Sequence, residues 1–208
     1  MSRKLIAILV AAVLALSLGA AVYASGEASG STSSTRGDLG PVEAPETAPA
    51  WIMSAFSTKT FTDEPIDDET VAEIVAAGIN APSAQNKQPW QFIIVQNDEL
   101  KSSLVRGAAA VVIVAVPEED YTGGGNSQFA AGCAAEAMYL YAQSIGLGAH
   151  MYTAPVAMTI SADPAAYGVA DGCEAAVVLG FGHYADYADA ASAASVRSDY
   201  DTFVSVLE

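Results

Sequence analysis

Hydrophobic and polar positions divide the chain into three stretches of different texture. Leu5 to Val22 is an uncharged run of 18 residues rich in Leu, Ala and Val, behind the basic pair Arg3-Lys4 and ahead of the small-residue stretch Val22-Tyr23-Ala24. Residues 25–50 are Ser, Gly, Pro, Ala and Glu, with little to bury. From residue 51 the pattern becomes that of a folded domain. Asp67-Asp68-Glu69-Thr70 precedes apolar residues spaced by three and four, which predicts a capped helix over 67–79, ended by Ala81-Pro82-Ser83. Gln91 to Gln96 predicts a short strand, Asp98 to Arg106 a short helix, and the unbroken apolar run Ala108 to Val116 a strand covered on both faces. Ser127 to Ile145 predicts a long Ala-rich helix ended by Gly146-Leu147-Gly148. A strand near 148–153, a helix around 155–167 and a last strand over 175–181 complete the pattern. Alternating strands and helices predict an α/β or α+β fold with a mixed sheet.

The first two stretches lie outside that fold. Residues 1–24 have the layout of an export signal. The alternative is an uncleaved anchor, because 18 apolar residues are just enough to span a bilayer. Either reading predicts an exported protein, secreted or tethered at the cell surface. Residues 25–50 read as a flexible tether, and residues 51–208 as one domain.

Charge narrows the function further. The chain of 208 residues has 24 acidic and 8 basic residues, a net charge of -16. Nucleic acid and anionic lipid are recognised by clustered Lys and Arg, so neither is an expected partner. Beyond the leader or anchor, no membrane contact is expected. Two cysteines exclude a disulfide-dense scaffold and a four-cysteine zinc site. A Cys133–Cys173 disulfide stays open in an exported protein. Cys133 with His150 or His183 is a formal hydrolase pairing, but a Cys inside AAGCAAEAM reads as a small buried residue. The two histidines are too few for a metal site. Gly123-Gly124-Gly125-Asn126 lacks the Lys-Ser/Thr of a phosphate loop. Tyr184, Tyr187 and Tyr200 are expected on the surface or against a partner.

The richest chemistry lies in Ala81 to Phe92, APSAQNKQPWQF. Ser83, Gln85, Asn86 and Gln88 offer donors and acceptors at the mouth of a strand, suited to the edge of a flat heteroaromatic ring. None of them is a nucleophile with a base. A polar loop packed by Trp90 is the plainer reading.

Ala81-Pro82-Ser83, Asn86 and Gln88-Pro89-Trp90 before a strand resemble the flavin loop of the nitroreductase family. Phe56-Ser57-Thr58-Lys59-Thr60-Phe61 resembles that family's Arg-Ser-x-Arg-x-Phe segment. The Gly-Leu-Gly after the long helix and the 175–182 strand extend the likeness over about 51–208. The resemblance implies an α+β nitroreductase-like fold, a mixed central sheet flanked by helices and a homodimer. It implies FMN held by Ser57, Lys59, Pro82, Ser83, Asn86 and Arg197, with Lys87 inside the motif as a further contact. It implies ping-pong electron transfer from NAD(P)H or another donor, through FMN, to a nitroaromatic, a quinone or a similar small acceptor. The cofactor carries that chemistry, so no catalytic side chain and no metal is named. Two family arginines are replaced, by Phe56 and Lys59. A lysine neutralises phosphate but lacks the guanidinium fork. The domain's basic residues are Lys59, Lys87, Lys101, Arg106 and Arg197. The competing reading is an exported flavin binder that keeps the fold without turnover. The acidic surface favours neutral or cationic substrates and opposes an anionic dinucleotide.

Overall fold

The computed structural model describes residues 47–119, 125–195 and 197–207. Its elements in chain order are α1 (Ala48–Ser54), α2 (Asp68–Ile79), β1 (Gln91–Val95), α3 (Asp98–Leu104), β2 (Ala110–Pro117) and α4 (Asn126–Ser144). They continue with β3 (Gly148–Tyr152), α5 (Ala154–Met158), β4 (Cys173–Gly182), α6 (Tyr187–Ser192) and α7 (Tyr200–Phe203). The leader at 1–24, most of the tether and the glycines Gly123 and Gly124 lie outside the described residues. Helix α1 begins at Ala48, inside the segment read as tether.

The strands form one sheet in the order β1-β2-β4-β3. Among the described residues every pairing is antiparallel, which corrects the expected mixed sheet. The continuous apolar run of β2 implied cover on both faces, which does not fix the direction of its neighbours. Here the cover comes from helices on both sides of an antiparallel sheet. Val112, Val114 and Val116 point to one side, against Met138, Ala131 and Ala135 of α4 and Ile74 of α2. Val111, Ile113 and Ala115 point to the other side, against Leu104, Val105, Ile160 and Val169. This is the period-two alternation of a pleated strand.

Small residues let α4 lie close to the sheet. Ala130, Ala131, Ala134, Ala135 and Ala142 are buried along it. Gly78 lets α2 reach α4: a Cβ there would stand 2.9 Å from Met138 Cγ. The predicted cap of α2 is present, with Asp67 accepting from Thr70 N at 2.7 Å. That bond is the main cause holding the Asp67 carboxyl below its ordinary range. The helix expected over 155–167 is broken into α5 and two short 3-10 turns, Ile160–Ala162 and Pro164–Tyr167. Pro164 explains the second break: it cannot donate a backbone bond and it keeps Asp163 out of the helical region, at φ -152 and ψ 76. Cys133 and Cys173 are both free thiols, so the disulfide left open above is not formed.

Helices α2 and α4 are also tied by Tyr141, whose hydroxyl donates to Glu73 Oε2 at 2.9 Å. Burial, then the Glu73 carboxylate, pushes the phenol up from 10.0 to about 12. The bond is made by the protonated phenol, so its contribution is whole below the ordinary value and is lost as pH rises through the raised one. Tyr141→Phe should lower stability by about 1 kcal/mol at neutral pH. Urea unfolding of both proteins should show this difference narrowing between pH 10.0 and about 12; a constant difference across that range would contradict the assignment.

Candidate functional site

Residues 56–59 run extended beside β3. Thr58 N donates to Ala149 O at 2.9 Å, and His150 Nδ1 meets Thr58 O at 3.0 Å. At the start of the strip, Phe56 N donates to Gln143 Oε1 at 3.2 Å. Burial alternates along it: Phe56 is 2% and Thr58 1% exposed, whereas Ser57 is half-buried and Lys59 exposed. Ser57 and Lys59 thus share the outward side, and Phe56 and Thr58 anchor the strip from beneath. Gly148 makes room for the anchor, since a Cβ there would stand 2.7 Å from both Thr58 Oγ1 and Cγ2.

Phe56 packs edge-on against Tyr184 and Tyr187, with centroids 6.4 and 5.6 Å away, and Tyr187 also meets Trp51 at 5.9 Å. Two of the three tyrosines expected at the surface or on a partner are therefore packed within this chain; Tyr200 is exposed as expected. Burial raises the Tyr184 phenol, with the nearby Tyr187 and Asp186 adding to it.

Lys59 joins the strip to the C-terminal segment. Its Nζ donates to Ala193 O at 2.8 Å, at the carbonyl end of α6, which leaves two of its three protons for another acceptor. Arg197 lies four residues further on, exposed, with Nη1 3.5 Å from Ser195 O. Among the described residues neither cation is paired with a carboxylate.

The amide-rich loop forms a second cluster. Gln88 N donates to Ser83 Oγ at 2.9 Å, closing the loop around the 3-10 turn Ala84–Asn86. The Ser83 hydroxyl proton is still available to a ligand. Gln85, Asn86 and Gln88 have φ of 54, 54 and 50, the positive-φ non-glycine residues among those described. Such conformations cost about 1–3 kcal/mol each and gather where a site requires them. Lys87 is exposed at the end of the turn. Pro82 turns away to line an apolar groove of about 550 Å³ with Phe129, Gly132, Cys133, Glu136, Ala137 and Leu140 of α4. Phe129 on that face is 70% exposed.

The structure does not unite these two clusters. The strip lies along β3 and the loop leads into β1, and these are opposite edge strands. Three strand spacings, roughly 14 Å, separate the edges. Neither histidine lines the groove beside Cys133, so the hydrolase pairing is not assembled. His183 faces Glu64 instead, at 3.8 Å. Among the described residues there is no group of His, Cys, Asp and Glu arranged for a metal, and no helix long and apolar enough to cross a membrane.

Comparison with known proteins agrees with this architecture. The model of the nitroreductase family matches residues 52–124, which contain both the strip and the loop. A nitroreductase with bound FMN from Desulfitobacterium hafniense superposes with a TM-score of 0.64 at 20% identity, covering 77% of this chain and 98% of the other. Residues 52–124 match the nitroreductase family, and the described residues share the fold of that structure.

A provisionally assigned nitroreductase from Desulfovibrio desulfuricans, in complex with FMN, gives a TM-score of 0.66 at 23% identity, over 79% of this chain and 98% of that one. Likenesses at these identities establish the fold. In sequence, the chain is 34% identical over 77 residues to a protein of Archaeoglobus fulgidus whose name assigns it provisionally as an NADH dehydrogenase/NAD(P)H nitroreductase. That match covers 32% of this chain and 44% of the relative. The matched stretches span less than half the length of the curated relatives.

Within this fold, Thr58, Gln143 and His150 are the residues around the candidate site that sequence reasoning missed. Gln143 and Thr58 read as ordinary members of a helix and a loop. Each is almost fully buried, and each keeps one side-chain atom, Gln143 Nε2 and Thr58 Oγ1, without a protein partner. His150 carried a faint signal in its place just after the Gly-Leu-Gly turn. Its bond to a carbonyl 92 residues earlier is a tertiary fact.

Proposed function

We propose that the protein is an exported, FMN-dependent oxidoreductase of nitroreductase type, acting as a homodimer on a small acceptor such as a nitroaromatic or a quinone. The observation that carries this reading is the outward strip. In a chain of net charge -16, Ser57 and Lys59 face solvent together, and Lys59 is bonded to the segment that brings in Arg197. A phosphate carrying close to two negative charges needs this combination of hydroxyl and cations. The loop adds the hydroxyl and amides that a flavin ring edge requires. The donor set therefore fits FMN, with one difference from the family pattern: the buried Phe56 gives the phosphate nothing. Lys59 supplies charge and Arg197 the bidentate fork.

Bound FMN would supply the two-electron chemistry that links donor to acceptor. The chain's own residues do the remaining work. Lys59, Arg197 and the Ser57 hydroxyl hold the phosphate, while Ser83 and Asn86 meet the ring, with Lys87 beside them. The loop's left-handed residues fix those donors before the ligand arrives, so less ordering cost remains at binding. No side chain is assigned a proton-transfer role. The separation of strip and loop within one chain supports a homodimer in which the loop of one copy completes the strip of the other. The apolar groove on α4 and the exposed Phe129 supply a face for that contact.

The full chain should retain FMN through gel filtration, seen as its visible absorption band. Lys59→Ala and Asn86→Ala should each weaken FMN by roughly ten- to hundredfold. Refolding the two variants together should restore about a quarter of the sites, because half the dimers are mixed and each holds one intact site. A colourless protein that retains no added FMN would refute the cofactor. No recovery in the mixture would refute the shared site.

A second reading, a flavin binder without turnover, draws on Phe56. Slow reoxidation of the reduced protein by nitro compounds and quinones would favour it. The acidic surface supports a donor other than an anionic dinucleotide. Reduction by NADPH should therefore be slow at low ionic strength and rise as salt screens the repulsion. A fast, salt-independent rate would contradict that steering. Export rests on residues 1–24, and mass analysis of the secreted or surface-bound chain should give either a mature start near residue 25 or an intact anchor. A chain retained in the cytoplasm would overturn it.

A further inference from the structure

Thr58 sits between the two outward residues of the strip, so whatever fixes Thr58 fixes where Ser57 and Lys59 point. Three consecutive residues of β3 hold it. Gly148 accommodates its side chain, Ala149 O accepts its N–H, and His150 Nδ1 reaches its carbonyl. The second contact is a main-chain bond that any residue at 149 would make. The third needs a side-chain donor at one position. A carbonyl oxygen only accepts, so His150 Nδ1 carries the proton. The ring is also prevented from swinging: it stacks on Tyr152, two residues along the same face of β3, with centroids 3.9 Å apart and planes 11° apart.

We propose that His150 is a positioning residue for the flavin phosphate, setting the register of Ser57 and Lys59 through its Nδ1–H bond to Thr58 O; this rests on the FMN reading above. Without that bond, the Thr58 carbonyl loses its side-chain donor beside a half-buried edge. The main chain of residues 56–59 would then keep its hydrogen bonds at Phe56 N and Thr58 N only, leaving the direction of Lys59 to its side-chain bond with Ala193 O. A flavin without the phosphate should be indifferent to this change.

The test compares FMN with riboflavin on the full chain, using flavin fluorescence to measure both dissociation constants. His150→Phe keeps a ring for Tyr152 and removes the donor. His150→Gln is a second donor-displaced variant, polar and with its amide nitrogen too far along the side chain. His150→Asn places an amide nitrogen where Nδ1 stands. Phe and Gln should weaken FMN by roughly tenfold while leaving riboflavin within about twofold, and Asn should restore FMN to within about threefold. The inference is overturned if Phe and Gln bind FMN as the unaltered protein does. It is equally overturned if FMN and riboflavin weaken together, which would indicate general loosening of β3. If the unaltered protein binds riboflavin but not FMN, the phosphate reading itself fails; if it binds neither, the flavin reading fails. Both differ from a defect confined to the variants.

Discussion

Strand β2 has no face to give to water, and the rest of the domain follows from that. Its residues Val111 to Val116 are essentially unexposed, so both sides of the sheet must be roofed. One roof is α4 with α2, and the other is α3, α5 and the turns around Ile160 and Val169. The hydrophobic gain from fully burying such side chains is about 1.5–3 kcal/mol apiece. A roof that slipped would expose several of them at once. The fold therefore leaves its adjustable parts to the edges of the sheet, where the strip and the loop are found.

The two edges are organised by different physics. At β3 the strip is held down by ordinary contacts: an extended backbone, a buried threonine under a glycine and hydrogen bonds to Ala149, His150 and Gln143. At the β1 end the loop is held in left-handed conformations that glutamine seldom adopts, closed by a serine hydroxyl. The first arrangement resembles secondary structure and adds to stability. The second opposes stability locally and persists because the domain around it is firm. A rigid double-roofed sheet is what allows a strained loop to coexist with it.

Much of this was readable along the chain. The cap at Asp67, the unbroken run of β2 and the glycines after α4 each obey a local rule, and each element appeared within a few residues of its expected place. Sheet direction was not readable, because an apolar run reports that a strand is covered on both faces and not which way its neighbours run. The helix expected over 155–167 stops short because Pro164 has no N–H to continue it, so the segment divides into α5 and two 3-10 turns. In the candidate site, Ser57, Lys59 and Ser83 stood out as residue types within short motifs. Their separation on opposite edges did not, since it depends on strand order. Nor did His150, whose partner lies 92 residues away.

The strip also occupies main-chain groups of β3 that would otherwise face solvent. An uncovered strand edge is a template for pairing with any other extended chain, and natural sheets are built to avoid presenting one. A proteolytic cut just beyond Lys59 would therefore do two things at once. It would remove the cation, and it would bare an edge flanked by Ala149, Met151 and Tyr152. The clipped protein would lose a surface cation and become prone to self-association along that edge, so a single cut would change both its charge and its solubility.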